Sequence, residues 1–281
     1  MRLCKTIEEV RSLISAVRAE GKTVGLVPTM GCLHLGHLSL VHEAKRRCEV
    51  VVVSIFVNPT QFGPHEDYQT YPRELQRDAG FVADAGVDAI FAPEVKEMYP
   101  RGFSSYVDVT GASECLCGAS RPGHFRGVAT VVTKLFNIVR PDMAFFGRKD
   151  FQQVLVIKQV IEDLNMGVQI VEVPIVREPD GLALSSRNAY LSPEERAAAL
   201  VLSRSLNLAR ELVSSGERDV NRLRERVVNE ISTEPLAGID YVEIRSVPDL
   251  AELTIIKDKT LLALAVRFGN TRLIDNTVLE V

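Results

Sequence analysis

Two histidines and two glycines share the segment Met30-Gly31-Cys32-Leu33-His34-Leu35-Gly36-His37. Imidazoles three residues apart can face one phosphate chain, as hydrogen-bond donors when neutral and as charge partners when protonated. The apolar run at 23–28 predicts a strand, and the apolar spacing over 37–48 predicts a helix. The histidines therefore stand where a strand turns into a helix. A helix N-terminus presents unpaired N–H groups and the positive end of the dipole, which favours phosphate. Gly31 and Gly36 let a ligand approach the backbone without Cβ interference. The chemistry indicated is that of a nucleotide site, with the phosphates held at this turn. Three plainer readings compete. Gly31-x4-Gly36 imitates a P-loop, but His37-Leu38 stands where Lys-Ser/Thr is required. A zinc site would want the H-E-x-x-H arrangement, and no Glu accompanies the pair. A purely structural role is the usual fate of an isolated histidine, but the glycines and the strand-to-helix junction weigh against it.

Four other segments carry candidate groups. Phe146-Gly147-Arg148-Lys149-Asp150-Phe-Gln-Gln153 follows a predicted strand at 143–146, so Lys149 and Asp150 belong at the carboxyl edge of the sheet. Open α/β sheets place ligands at that edge. Gly181-Leu-Ala-Leu184-Ser185-Ser186-Arg187-Asn188 follows a strand at 168–176, and its hydroxyls and guanidinium can clamp a polyphosphate. Ser120-Arg121-Pro-Gly-His124-Phe-Arg126 is either an anion-binding loop or a surface turn. Asn58-Pro-Thr-Gln61 puts two amides behind the strand at 50–57, where they can hold a polar substrate or cap the next turn. Cys115-x-Cys117 with His124 fits no common zinc spacing. There is no Gly-x-Ser-x-Gly elbow and no cysteine in an activating motif. Positioning and charge neutralisation remain as the chemistry available.

The elements that must position these groups alternate. Strands are expected at 23–28, 50–57, 89–92, 143–146 and 168–176, and helices at 7–20, 37–48, 73–84, 127–140 and 151–165. Near-continuous apolar strands suit a parallel sheet covered on both faces, so residues 1–180 read as a doubly wound, Rossmann-like α/β domain. After Arg187 the pattern changes. Ser192-Pro-Glu-Glu195 is a helix start with a capping box, leading to one helix to about Ser214 and a second at 220–232. Strands at 241–246, 260–268 and 271–280 follow, with Gly269-Asn270 as a hairpin turn. Residues 181–281 thus read as a smaller α+β lid domain.

Of the 281 residues, 46% are apolar and 25% charged, the balance of an ordinary globular protein. No apolar run approaches the ~20 residues of a membrane helix. Net charge is −4 with no basic stripe, which argues against nucleic acid as a partner. Five cysteines and a charged N-terminus fit free thiols in a reducing cytoplasm.

With these residues assembled, the chain resembles the pantothenate synthetase (pantoate–β-alanine ligase) family of the His-x-Gly-His nucleotidylyltransferase superfamily. The resemblance covers essentially the full length. It rests on Val27-Pro-Thr-Met-Gly31, His34-x-Gly-His37, Phe56-Val-Asn-Pro-Thr-Gln-Phe62, Arg121-Pro-Gly-His-Phe-Arg-Gly127, Gly147-x-Lys-Asp-Phe-Gln-Gln153 and Leu184-Ser-Ser-Arg-Asn188. It implies that ATP and pantoate form an enzyme-bound pantoyl adenylate, from which β-alanine displaces AMP, with Mg²⁺ on the phosphates. It implies further that Met30 to His37 line ATP, with His34 and His37 on the phosphates. Gly147, Arg148, Lys149, Asp150, Val176, Leu184, Ser185, Ser186 and Arg187 complete the nucleotide site. Of these, Lys149, Ser185 and Arg187 stabilise transferring charge. Gln61 and Gln153 hold pantoate; Asn58, Arg121 and His124 are less direct contacts, and Asp78 is a metal contact. A homodimer is implied as well. Two positions depart from the family pattern: Cys32 puts a thiol in the nucleotide loop, and Arg148 adds positive charge beside Lys149 where Glu is common. Another adenylate-forming member of the superfamily is the alternative.

Overall fold

The computed structural model describes residues 1–64 and 66–281. Among these, β1 (Arg2–Cys4), β2 (Val24–Thr29), β3 (Val50–Ile55), β4 (Ala89–Phe91), β5 (Met143–Gly147) and β6 (Gln169–Val173) form one sheet in the order β1-β4-β3-β2-β5-β6. All pairs are parallel. The helices are α1 (Ile7–Ala19), α2 (Leu35–Arg47), α3 (Leu75–Ala83), α4 (Val95–Met98), α5 (Cys117–Ser120), α6 (His124–Val139), α7 (Phe151–Asp163), α8 (Pro193–Ala198), α9 (Val201–Ser214) and α10 (Val220–Ser232). Strands β7 (Ala237–Ser246), β8 (Thr260–Phe268) and β9 (Thr271–Leu279) make a separate antiparallel sheet.

The chain divides into two compact units. The first comprises Met1–Thr110, Arg121–Arg148 and Gln153–Pro174; the second comprises Gly111–Ser120, Lys149–Gln152 and Ile175–Val281. The α/β expectation holds for the parallel sheet, whose strands carry the runs of Val, Ile and Phe that burial on both faces requires. In the first unit β2 and β5 are neighbours from which the strand order runs off in opposite directions. Their carboxyl ends mark the topological switch, the place where such sheets take ligands.

Three of the differences from the sequence expectation have a local physical cause. Strand β1 was not expected; its three residues carry no pattern of their own and are held by pairing Arg2, Leu3 and Cys4 with Ala89, Ile90 and Phe91. The long helix after Ser192 is two helices. At the junction the Leu200 and Leu202 amides bond three residues back, to Ala197 O and Ala199 O, which tightens the turn and re-aims the axis. The helix expected from residue 37 starts at Leu35, because His34 itself caps it.

Helix α9 turns Val201, Leu202, Leu206, Ala209 and Val213 inward. They meet Leu223, Val227 and Ile231 of α10 and Leu262, Leu264 and Val266 of β8 in one cluster, the core of the second unit. The core of the first unit gathers Val27, Val51, Val53, Ile90 and Phe145 from the strands with Leu40, Val41 and Ala44 of α2.

Candidate active site

Strand β2 ends at Thr29, and segment 30–37 turns the chain into α2. Gly31 (φ +85°) and Cys32 (φ +51°) lie consecutively in the left-handed region, which glycine accepts and a residue with a Cβ resists. The turn drives Leu33 into the core at 1% exposure, where a leucine contributes roughly 1.5–3 kcal/mol. Leu35 points outward.

The backbone donors of this loop are mostly used within the protein. Gly31 N–H donates to Thr29 Oγ1 (3.2 Å), while Cys32 and Leu33 N–H each donate to the Asp78 carboxylate (2.8 Å). His34 N–H donates to His37 Nδ1 (3.3 Å) and Gly36 N–H to His34 Nδ1 (3.1 Å). The amides of His37 and Leu38 bond to His34 O. The anion cradle of unpaired N–H groups expected at this helix start is therefore largely closed. What the loop offers instead is imidazole. An Nδ1 that accepts an N–H cannot carry a proton, so each neutral ring is protonated at Nε2. Both rings, with centroids 4.1 Å apart, present Nε2–H as donors.

Asp78 was expected as a metal contact. Its carboxylate is 1% exposed, with one oxygen on each loop amide. Both oxygens are thus tied to the backbone of the loop.

Asn58 caps a short 3₁₀ turn, Pro59–Gln61, of which Gln61 is the last residue. Asn58 is enclosed and fully employed. Its Nδ2 donates to Gln61 Oε1 (3.0 Å) and Gly127 O (3.1 Å), and its Oδ1 accepts from Thr60 N–H and Tyr99 OH. These bonds fix the Gln61 amide with Nε2 toward Met30 Sδ (3.2 Å), which brings Gln61 to the nucleotide loop. The turn packs against α6 at Gly127, where a Cβ would lie 2.3 Å from Thr60 O. Behind Gln61, Arg121 makes a two-pronged bond to Glu66 (2.6 Å each) and reaches Gln61 O (3.3 Å). His124 places Nδ1 at 2.9 Å from Gln61 O and Nε2 at 3.1 Å from Arg121 Nη1. A carbonyl only accepts and a guanidinium only donates, so Nδ1 carries the proton of the neutral ring. Arg121 and His124, expected near substrate, here buttress the backbone that carries Gln61.

Burial would raise the Glu66 carboxyl, but the hydrogen bonds and charge of Arg121, with the Gly63 N–H, outweigh it and hold the group at about 2. The folded value lies below the unfolded value of 4.5. The stabilisation is thus complete above pH 4.5 and is lost as pH falls toward 2. Allowing for the part of the carboxylate that water screens, about 2 kcal/mol is at stake. Acid titration followed by circular dichroism is expected to show a steeper loss for the native protein than for Glu66→Gln. Superimposable acid limbs would contradict the pairing.

Arg148 ends the first unit's contribution after β5. It pairs with Glu172 of β6 (3.0 Å), the carboxylate that also takes Lys158. Its added charge is therefore partly offset from the neighbouring strand, where Glu172 stands in register with Phe146. Gln153 lies half-buried at the start of α7 in the first unit, and Gly147 closes β5.

In the second unit Lys149 pairs with Asp150 (3.6 Å), and its carbonyl accepts from Asn276 Nδ2 (2.8 Å). Val176 O accepts from Leu184 N–H (3.0 Å), which closes a narrow loop whose stem residue Arg177 makes a two-pronged bond to Asp275 (2.6 and 2.9 Å). Ser185 caps the 3₁₀ turn Ser186–Tyr190 by accepting from Arg187 N–H (3.3 Å). Gln152, adjacent to Gln153, is buried and holds the 112–117 segment through Ala112 O, Cys115 O and Cys117 N. Cys117 meets Tyr241 OH (3.2 Å) and Arg272. Among the described residues no group of three His, Cys, Asp or Glu is arranged to hold a metal. Glu66, Gln152, Asp275 and Asn276 were not singled out in the sequence, because their partners are distant along the chain.

The family model for pantoate-beta-alanine ligase matches residues 2–278. The chain belongs to the pantoate–β-alanine ligase family. It is 61% identical to the pantothenate synthetase of Pelotomaculum thermopropionicum over 99% of both chains. It is 57% identical to that of Carboxydothermus hydrogenoformans over the full length of both. The crystal structure of pantothenate synthetase from Thermus thermophilus superposes with a TM-score of 0.94 at 47% identity, covering 99% of each chain. The Francisella tularensis pantoate-beta-alanine ligase, crystallised with a β,γ-ATP compound and β-alanine, gives 0.82 at 35% identity over 99% of this chain and 97% of that one. Membership makes the chain an enzyme and a ligase of pantothenate biosynthesis.

Proposed function

We propose that the chain activates pantoate with ATP and couples it to β-alanine through the residues described above. A pantoate carboxylate oxygen attacks the α-phosphorus, the bond to the bridging oxygen breaks and pyrophosphate leaves. The amine of β-alanine then attacks the acyl carbon, loses a proton and expels AMP. Both anionic partners of the first step repel each other, so the site must cancel charge and stabilise what develops on the phosphate.

The observation that carries the reading is the imidazole pair fixed as Nε2–H donors at the switch point of the sheet. In this assignment His34 and His37 donate to phosphate oxygens, and Lys149, Ser185 and Arg187 balance charge on the same nucleotide. Segment 30–37, Gly147 to Asp150, Val176 and 184–187 bind ATP. Gln61, with Oε1 committed to Asn58, uses Nε2 toward pantoate, and Gln153 joins it. Asn58, Arg121 and His124 act through Gln61. Asp78 is occupied with two loop amides. Mg²⁺ enters in this reading as part of the MgATP substrate, since this ion keeps its waters and binds mainly phosphates. We further assign a homodimer working in the cytoplasm.

Pyrophosphate–ATP exchange with a panel of carboxylic acids tests this. Exchange is expected with pantoate, followed by amide formation when β-alanine is added. Exchange indifferent to pantoate would favour a different adenylate-forming activity.

A further inference from the structure

We propose that Asp78 is a positioning residue that holds the Gly31-Cys32 turn, and with it the aim of His34 and His37; the proposal rests on the ATP site assigned above. Each Asp78 oxygen accepts one amide, Cys32 N–H on Oδ2 and Leu33 N–H on Oδ1, both at 2.8 Å. The side chain is 1% exposed. Nearby, the Arg77 guanidinium stands 4.0 Å away and largely in water. The carboxylate charge is therefore compensated chiefly by the loop's own N–H dipoles.

The turn needs such a clamp. Gly31 and Cys32 are both left-handed, and Cys32 carries a Cβ in a region that disfavours one. Once the turn is set, Leu33 enters the core, and His34 follows as the cap of α2 with its Nδ1 on Gly36 N–H. The imidazoles are thus one and four residues from Leu33, on a backbone whose two amides Asp78 accepts. Gly31 fits against the clamp so closely that a Cβ there would lie 3.0 Å from Asp78 Oδ2. An asparagine would keep the shape but turn one N–H donor against another, so the requirement is for a carboxylate and not for size.

Asp78→Asn is expected to fold, to speed hydrogen exchange of the Cys32 and Leu33 amides, and to lower kcat/KM for ATP by about 10²-fold, the scale of a misaimed catalytic group. The KM for β-alanine and the Mg²⁺ concentration for half-maximal rate are expected to stay the same. A defect that excess Mg²⁺ repairs, with the two amides still protected, would make Asp78 a metal ligand and overturn the proposal; so would unaltered kinetics. If Asp78→Asn does not fold, Gly31→Ala loosens the clamp from the loop side and is expected to reproduce the exchange and ATP effects. Fast-exchanging Cys32 and Leu33 amides with normal ATP kinetics in that variant would overturn the proposal. Pyrophosphate exchange by the unaltered protein is measured alongside. Its absence with pantoate refutes the ligase assignment, whereas its presence with a normal Asp78→Asn enzyme refutes the clamp alone.

Discussion

Replacing His37 by alanine is expected to lower kcat by about 10²-fold or more, the scale for losing one preorganised donor at a developing charge. The substitution also removes the acceptor for His34 N–H, a capping interaction whose loss costs about 1 kcal/mol. Two further variants separate these effects. Asparagine can accept the amide through Oδ1 but has no atom where Nε2–H stood, so His37→Asn is expected to restore the melting temperature and leave kcat low. Glutamine extends an N–H to about the Nε2 position and is expected to recover part of kcat. Steady-state kinetics beside thermal melts give both readouts. Normal kcat in His37→Asn would show that the ring serves only to cap the helix.

The second large effect is expected at Gly127. A methyl group there would meet Thr60 O at 2.3 Å and Gln61 Cα at 2.6 Å, both backbone atoms that cannot rotate aside. Gly127→Ala must move α6 or the Pro59–Gln61 turn, and overpacking of this kind typically costs 1–3 kcal/mol, with more where backbone meets backbone, so roughly 3 kcal/mol is expected. Asn58 Nδ2 bonds both Gly127 O and Gln61 Oε1, so the displacement reaches Gln61, the residue proposed to hold pantoate. The expected signature is a lower unfolding midpoint in denaturant together with a raised KM for pantoate. A variant as stable as the native chain would show that the close approach is not maintained in solution.

Residue types at element centres were informative and tertiary partnerships were not. Helix α10 and strand β8 fall where the spacing of Leu223, Val227 and Ile231 and the run 260–268 indicate. Apolar periodicity is a local property, and burial reads it out directly. The strand-to-helix junction at His34-Leu-Gly-His37 was also legible, since β2 ends at Thr29 and α2 begins at Leu35. How the two rings are held was not. Their tautomers follow from which backbone amides reach Nδ1, and that depends on a turn set by Asp78, 45 and 46 residues away from its partners. On the sequence Asp78 is one more acidic residue in a helix. Arg148 makes the same point about charge. Beside Lys149 it reads as a net addition, yet Glu172 on the neighbouring strand, shared with Lys158, offsets part of it. Segment 120–126 reads as either an anion-binding loop or a surface turn because Glu66, the partner of Arg121, lies 55 residues upstream of it.

The closed amides of segment 30–37 bear on how the site can be blocked. A compound that imitates a P-loop ligand, with oxygens arrayed for a ring of backbone N–H groups, would find those donors already committed to Thr29, Asp78 and the capping imidazoles. A better-matched inhibitor would carry two acceptors spaced for adjacent Nε2–H groups on rings 4.1 Å apart. Resistance would then have few routes, because exchanging either histidine to escape the compound also removes a bond that starts the helix.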